Sequence, residues 1–132
     1  MNKKINYPIP SEDEECITFV QWLNLKDIPH AHIANESRSN NRNAIIRGAK
    51  LKRMGQSRGV WDYEIFLPIK NPGGAIERYQ LVKIEMKRVK NGKVLAEQKE
   101  WGKIYEMAGI PCKVCYGAGD AIDYLESLQK TL

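Results

Sequence analysis

The chain is 132 residues long, 42% hydrophobic and 28% charged, which fits one domain large enough to bury a core without disulfide or metal staples. It contains no apolar run long enough to cross a bilayer and none behind the Lys3–Lys4 pair, so membrane insertion and secretion are not expected; three cysteines, an odd number, make no disulfide framework and fit a reducing cytoplasm. Net charge is +5, and seven basic residues fall between Ser37 and Trp61 with no acid among them (Arg38, Arg42, Arg47, Lys50, Lys52, Arg53 and Arg58), a positive field that either serves solubility or complements a phosphate-bearing partner.

PSEDEECITFVQWLNL predicts a helix starting at Ser11, with Glu14 three residues on completing a capping box and Cys16, Phe19, Val20 and Leu23 forming its apolar face. HAHIAN is a short strand. NRNAIIRGAKLKRMG is a helix with Ala44, Gly48, Leu51 and Met54 on one side and Gly55 as its stop. DYEIFLPI is a strand, NPGG a turn, and RYQLVKIEMKR a second long strand, so that the two strands form an antiparallel hairpin. After a loop around NGK, AEQKEWGKIYEMAG places Trp101, Ile104, Tyr105 and Ala108 at helical spacing and ends at Gly109, with Pro111 just beyond. CKVCY is a strand, and GDAIDYLESLQKTL closes the chain as a helix with Asp120 as its N-cap and Ile122, Leu125 and Leu128 on its buried side. Such alternation predicts an α/β layer fold around one central mixed sheet.

The strand LVKIEMKR poses a chemical question. Period-two alternation puts Val82, Ile84 and Met86 on one face and Lys83, Glu85 and Lys87 together on the other. A solvated sheet face would explain this plainly, because charged pairs on exposed strands are common. A further acid on a neighbouring strand changes the balance, and Asp62 stands at the head of the preceding strand, just after the Gly59 turn. Two converging carboxylates repel, which raises a pKa unless a cation neutralises them, and oxygen ligands of this kind suit Mg²⁺ or Mn²⁺. Glu12 shares the inward face of Cys16 and Phe19, and Gln98 that of Trp101 and Tyr105, so each could point into a site beside the sheet. A first-turn acid is also stabilised by the helix dipole alone, and a first-turn Gln98 can simply reach water.

Asp62, then Glu85 and Lys87 in IEMK on the next strand, with Glu12 on the first helix and Gln98 on a later one, resemble the PD-(D/E)XK nuclease superfamily, and within it the VRR-NUC (virus-type replication-repair nuclease) domain in its small stand-alone phage and bacterial form. The likeness runs from SEDEECITFVQWL through RGVWDYEIFLP, IEMKR and AEQKEW to GIPCKVCYGAGDAIDYL, nearly the whole chain. It implies a restriction-endonuclease-like core, a mixed four-stranded sheet flanked by helices in the order α-β-α-β-β-α-β-α, forming one domain over residues 1–132, with residues 1–10 an arm that is flexible or contacts a dimer partner. It implies that Asp62 and Glu85 bind the catalytic Mg²⁺ or Mn²⁺ with the Met86 backbone carbonyl, that Glu12 binds it more indirectly, that Lys87 orients or helps activate the attacking water, and that Gln98 positions this lysine or the substrate. Arg42, Arg47, Lys50, Lys52, Arg53 and Arg58, immediately before Asp62, would then contact DNA phosphates, which positions a duplex without reading its sequence. The activity implied is metal-dependent endonucleolytic hydrolysis of DNA phosphodiesters, by a homodimer, on branched DNA such as four-way (Holliday) junctions in replication, repair or recombination, in the host cytoplasm if the protein is phage-encoded.

Three positions depart from the family pattern. Trp61 stands where Pro usually precedes the metal-binding Asp, giving either a stacking surface or a core plug; Cys16 replaces a frequent Gln; and ANE replaces a stretch that usually reads towards PNG. Other functions have weaker signals. CKVC could be a redox pair, or half a zinc site with His30 and His32, but within a strand its two sulfurs point to opposite faces. GAGD lacks a third glycine and the strand-helix context of a nucleotide-binding loop. A metal-free DNA-binding scaffold on the same fold is the main alternative, although DNA affinity gives no reason to place two acids facing a polyanion.

Overall fold

In the computed structural model the described residues are 8–34 and 42–132; Arg38, Asn35 and Glu36 of ANE, and residues 1–7 of the expected arm lie outside them. The elements are α1 (Glu12–Leu25), β1 (His30–His32), α2 (Arg42–Arg53), β2 (Tyr63–Lys70), β3 (Ile76–Lys87), α3 (Ala96–Met107), β4 (Cys112–Tyr116) and α4 (Ala118–Thr131), in the order expected. They form a four-stranded sheet ordered β1-β2-β3-β4, antiparallel across β1–β2–β3 and parallel between β3 and β4, the mixed α/β architecture.

Helix α1 begins as its sequence dictates. The Ser11 hydroxyl accepts the Glu14 N–H at 3.1 Å and lies 3.3 Å from the Glu14 carboxylate, while Glu12, Asp13, Glu14 and Glu15 crowd the first turn, where the helix dipole favours negative charge. Phe19 and Leu23 are buried and Cys16 and Val20 pack partly beside them. The hairpin turns through Asn71, whose side-chain oxygen accepts the Ala75 N–H at 3.1 Å, and β3 starts two residues earlier than expected.

Strand parity builds the core. Tyr63, Ile65, Leu67 and Ile69 of β2 share a face with Val82, Ile84 and Met86 of β3 and Cys115 of β4; α1 and α4 close over them with Phe19, Leu23, Ala118, Ala121 and Leu125. The two helices are also joined directly, since the Glu15 carboxylate accepts the Ala118 N–H at the start of α4. That contact corrects the expected cap: α4 starts after Gly117, its first turn is served by an acid from another helix, and Asp120 instead takes the Lys113 ammonium and the Tyr116 N–H at 2.9 Å.

Two expected helix faces also shift. On α3 Tyr105 is buried and Trp101 half-buried, but Ile104 is 51% exposed and Ala108 lies at the surface, because the Trp61 indole sits against Gly102 and turns that side of the helix inward. Helix α2 ends at Arg53 and the chain turns away at Gly55 (φ +103), the expected stop, yet the side carrying Ala44, Gly48, Leu51 and Met54 is not buried: Ala44 is half-covered and the others are open.

Candidate active site

The second face of β3 is not solvated. Lys83, Glu85 and Lys87 are 3%, 1% and 8% exposed, so the plain reading of this strand as an exposed charged face is overturned. Burial of three charges along one face of a strand is costly unless each finds a counter-charge or a polar partner, and their surroundings differ accordingly.

Lys83 has a structural setting. Its ammonium lies 3.5 Å from the Glu64 carboxylate on the paired strand and 5.2 Å from the centroid of the Tyr105 ring, while burial lowers its pKa against the opposing pull of Glu64. Glu85 has a different one. Its Oε2 lies 3.4 Å from the Gln98 side-chain amide, but its Oε1 is buried with no hydrogen-bond partner. Burial, and then the nearby Asp62 carboxylate, push its pKa up to about 9, with Lys87 pulling the other way.

Asp62 is fixed by both neighbouring strands. Its backbone carbonyl accepts the Ile33 N–H at 2.6 Å, and its side-chain Oδ2 accepts the Met86 N–H at 3.2 Å. The Lys87 carbonyl accepts the Gly117 N–H on the β4 side; carbonyls alternate along a strand, so that of Met86 faces the Asp62 side. Gln98 is held as well as Asp62. Its Oε1 accepts the Leu95 N–H at 2.9 Å, half of a capping box that Leu95 cannot reciprocate, which leaves its amide directed at Glu85.

These side chains meet in one cavity of about 270 Å³ whose walls include Glu12, Asp62, Glu85, Lys87, Gln98 and Arg58. All five expected catalytic residues are thus brought together. The six described basic residues divide: Arg58 lines the cavity, whereas Arg42, Arg47, Lys50, Lys52 and Arg53 lie on the exposed helix α2. His32 also lines the cavity, with its ring 4.9 Å from that of Tyr63; the sequence suggested only a zinc role for it, and nothing in a three-residue strand marks which face it takes.

A divalent cation fits this donor set. Two carboxylates converge in a buried setting, one with an oxygen that has no other partner, and the Met86 carbonyl faces them. Among the described residues no three His, Cys, Asp or Glu side chains group to hold an ion by themselves, so the backbone carbonyl and water would have to complete the shell. The cysteines offer no competing centre. Cys115 lies in the core and Cys112 on the opposite face, and burial pushes the Cys115 and Cys16 thiols up to about 12 and about 11, leaving them neutral.

Neither a protein-family model nor a curated protein matches the sequence. Among solved structures, one described as a "VRR_NUC domain protein" superposes on 92% of this chain and 89% of its own with a TM-score of 0.66, at 22% sequence identity. The chain has a VRR-NUC fold.

Within this VRR-NUC fold the residue preceding Asp62 is a plug, not a stacking surface. Trp61 is 4% exposed, its indole N–H donates to the Gln98 carbonyl at 2.8 Å, and its backbone N–H lies 3.4 Å from the Tyr105 hydroxyl. Its ring lies against Gly102, where an added Cβ would come within 2.8 Å of it. The turn before it is equally close-fitted: Gly59 (φ +80) has no room for a side chain, since a Cβ there would stand 2.5 Å from that of Glu97. No helix among the described residues of this VRR-NUC fold is long and apolar enough to cross a membrane.

Proposed function

We propose that this protein is a divalent-metal-dependent DNA endonuclease, acting as a homodimer on branched DNA such as four-way junctions during replication, repair or recombination, as in a bacteriophage. The observation that carries the reading is the convergence of Glu12, Asp62, Glu85, Lys87 and Gln98 in one cavity, with a buried Glu85 oxygen lacking any partner. The fold of a VRR_NUC domain protein supports the same class of chemistry.

Asp62, Glu85 and the Met86 carbonyl would hold Mg²⁺ or Mn²⁺, with Glu12 at greater remove. Such an ion supplies Lewis acidity to the attacking water and to the scissile phosphate. Lys87, buried at the end of β3, orients that water and offsets the charge that develops on the phosphate. Gln98 fixes the orientation of the Glu85 carboxylate. Arg58 at the cavity wall takes a flanking phosphate, and Arg42, Arg47, Lys50, Lys52 and Arg53 give the duplex a basic surface to lie on.

Cleavage of labelled linear, flapped and four-way-junction DNA with Mg²⁺, Mn²⁺ or EDTA tests this, comparing the wild type with Asp62→Ala and Lys87→Ala. Metal-dependent cutting lost in both variants is expected. DNA binding that tightens with divalent ion while no substrate is ever cut would replace the nuclease with a scaffold.

A further inference from the structure

The turn that carries Arg58, Trp61 and Asp62 and the helix that carries Gln98 are joined by two tryptophans that exchange partners. Trp61, on the turn, donates its indole N–H to the carbonyl of Gln98 on α3 at 2.8 Å. Trp101, on α3, donates its indole N–H back to the carbonyl of Arg58 on the turn at 3.1 Å. Tyr105 links the two rings, 5.3 Å from Trp61 at 78° and 5.8 Å from Trp101 at 30°. Gly59 and Gly102 are the points of closest approach, each lacking room for a side chain against the facing element.

We infer that Trp61 and Trp101 are positioning residues, a reciprocal indole clasp that fixes Asp62, Gln98 and Arg58 relative to one another across the cavity. The hydrogen bonds run between side chains and main chain, so each tryptophan anchors the backbone of a residue that lines the cavity. Each element supplies the donor for a carbonyl of the other, the bond to Gln98 part-buried and the bond to Arg58 at the surface. The two halves have separable effects. Trp61 adjoins Asp62 and holds the Gln98 backbone, so it acts on the groups that surround Glu85. Trp101 holds Arg58, which sits where a phosphate flanking the cut would lie. The kinetic part of this inference rests on the nuclease reading above.

The test uses Trp61→Phe and Trp101→Phe, which keep an aromatic ring and remove the indole N–H together with the second ring, with Trp22→Phe on α1 as the control for the same loss of ring volume elsewhere. Trp61→Phe is expected to lower kcat about 10–100-fold with KM within about twofold, because small displacements of reacting groups weigh heavily on rate. Trp101→Phe is expected to raise KM about 5–20-fold and leave kcat nearly unchanged, as loss of a positioned phosphate contact does. Trp22→Phe should change neither. Backbone amide exchange gives a readout that needs no catalysis: residues 99–102 should exchange faster in Trp61→Phe, and residues 58–60 faster in Trp101→Phe, with β2 and β3 unchanged. Wild-type kinetics and unchanged exchange in both variants would overturn the clasp, as would an equal loss of protection throughout the sheet, which marks a general packing role. If the wild type cuts no DNA under any metal, the nuclease reading falls, and the exchange pattern alone then decides whether the clasp exists.

Discussion

The Gln98 amide lies 3.4 Å from Oε2 of Glu85, while the other oxygen of that carboxylate is buried with no partner. Half of the group is therefore satisfied by Gln98, and the other half, beside the Asp62 carboxylate, is served only when a proton or a cation stands between the two acids. Replacing Glu85 with Gln keeps the shape and removes the ionisable group, and with it the cost of taking up a proton on folding. Glu85→Gln should abolish metal-dependent cleavage while raising the melting temperature of the metal-free protein, measured by differential scanning fluorimetry in EDTA. A lower melting temperature would mean that the carboxylate is needed for folding.

The pH dependence of stability has a definite sign. The folded-state pKa of Glu85 stands at about 9 against an ordinary value of 4.5, so the folded protein holds this proton more tightly than the unfolded chain. Its contribution to stability is complete below about 4.5 and is lost as pH rises towards about 9. In EDTA the wild type should therefore lose stability across that window more steeply than Glu85→Gln. Saturating Mn²⁺, which prefers the carboxylate, should flatten the wild-type profile. Parallel profiles for the two proteins in EDTA would contradict the burial argument.

Helix α2 presents basic residues on a surface with no buried side chain. Arg47→Gln and Lys50→Gln should each weaken DNA binding with little change in melting temperature. Neutralising one phosphate contact should lower the slope of log K against log[salt] by about 1, and to a similar degree for every DNA structure tested. A change confined to junction DNA would place α2 in recognition of shape instead.

Gly102 and Gly48 make a matched pair of tests. A methyl group at Gly102 would meet the Trp61 ring at 2.8 Å, and Gly102→Ala should destabilise by about 1–3 kcal/mol. Gly48, within α2, has nothing within 4 Å of an added Cβ, and Gly48→Ala should stabilise by about 0.5–1 kcal/mol through helix propensity. Chemical denaturation of both variants measures the two effects, and the same sign for both would contradict the packing described.

Where a signal was local and periodic, the sequence was sufficient. Ser11 and Glu14 start α1 as a capping box, the NPGG turn joins β2 to β3, and Glu85 and Lys87 share a face because strand parity leaves no choice. What stayed hidden came from contacts between distant segments. Asp120 looked like a cap because the Glu15 carboxylate, 103 residues upstream of Ala118, is invisible to a local reading of α4. The inward side of α3 depended on Trp61 lying over Gly102, so Ile104 was misplaced. His32 could not be assigned to the cavity from a strand of three residues, too short for any alternation to show.

The hairpin turn has a practical use that follows from its distance. Asp62 and Glu85 lie at one end of β2 and β3, and the Asn71–Gly74 turn closes the other; eight β2 residues at about 3.3 Å each put the two about 25 Å apart. Gly73 and Gly74 are exposed and lie outside the core. A fluorophore or affinity peptide grafted between them would report on the molecule from the end remote from the cavity, without touching α2 or the turn that carries Arg58.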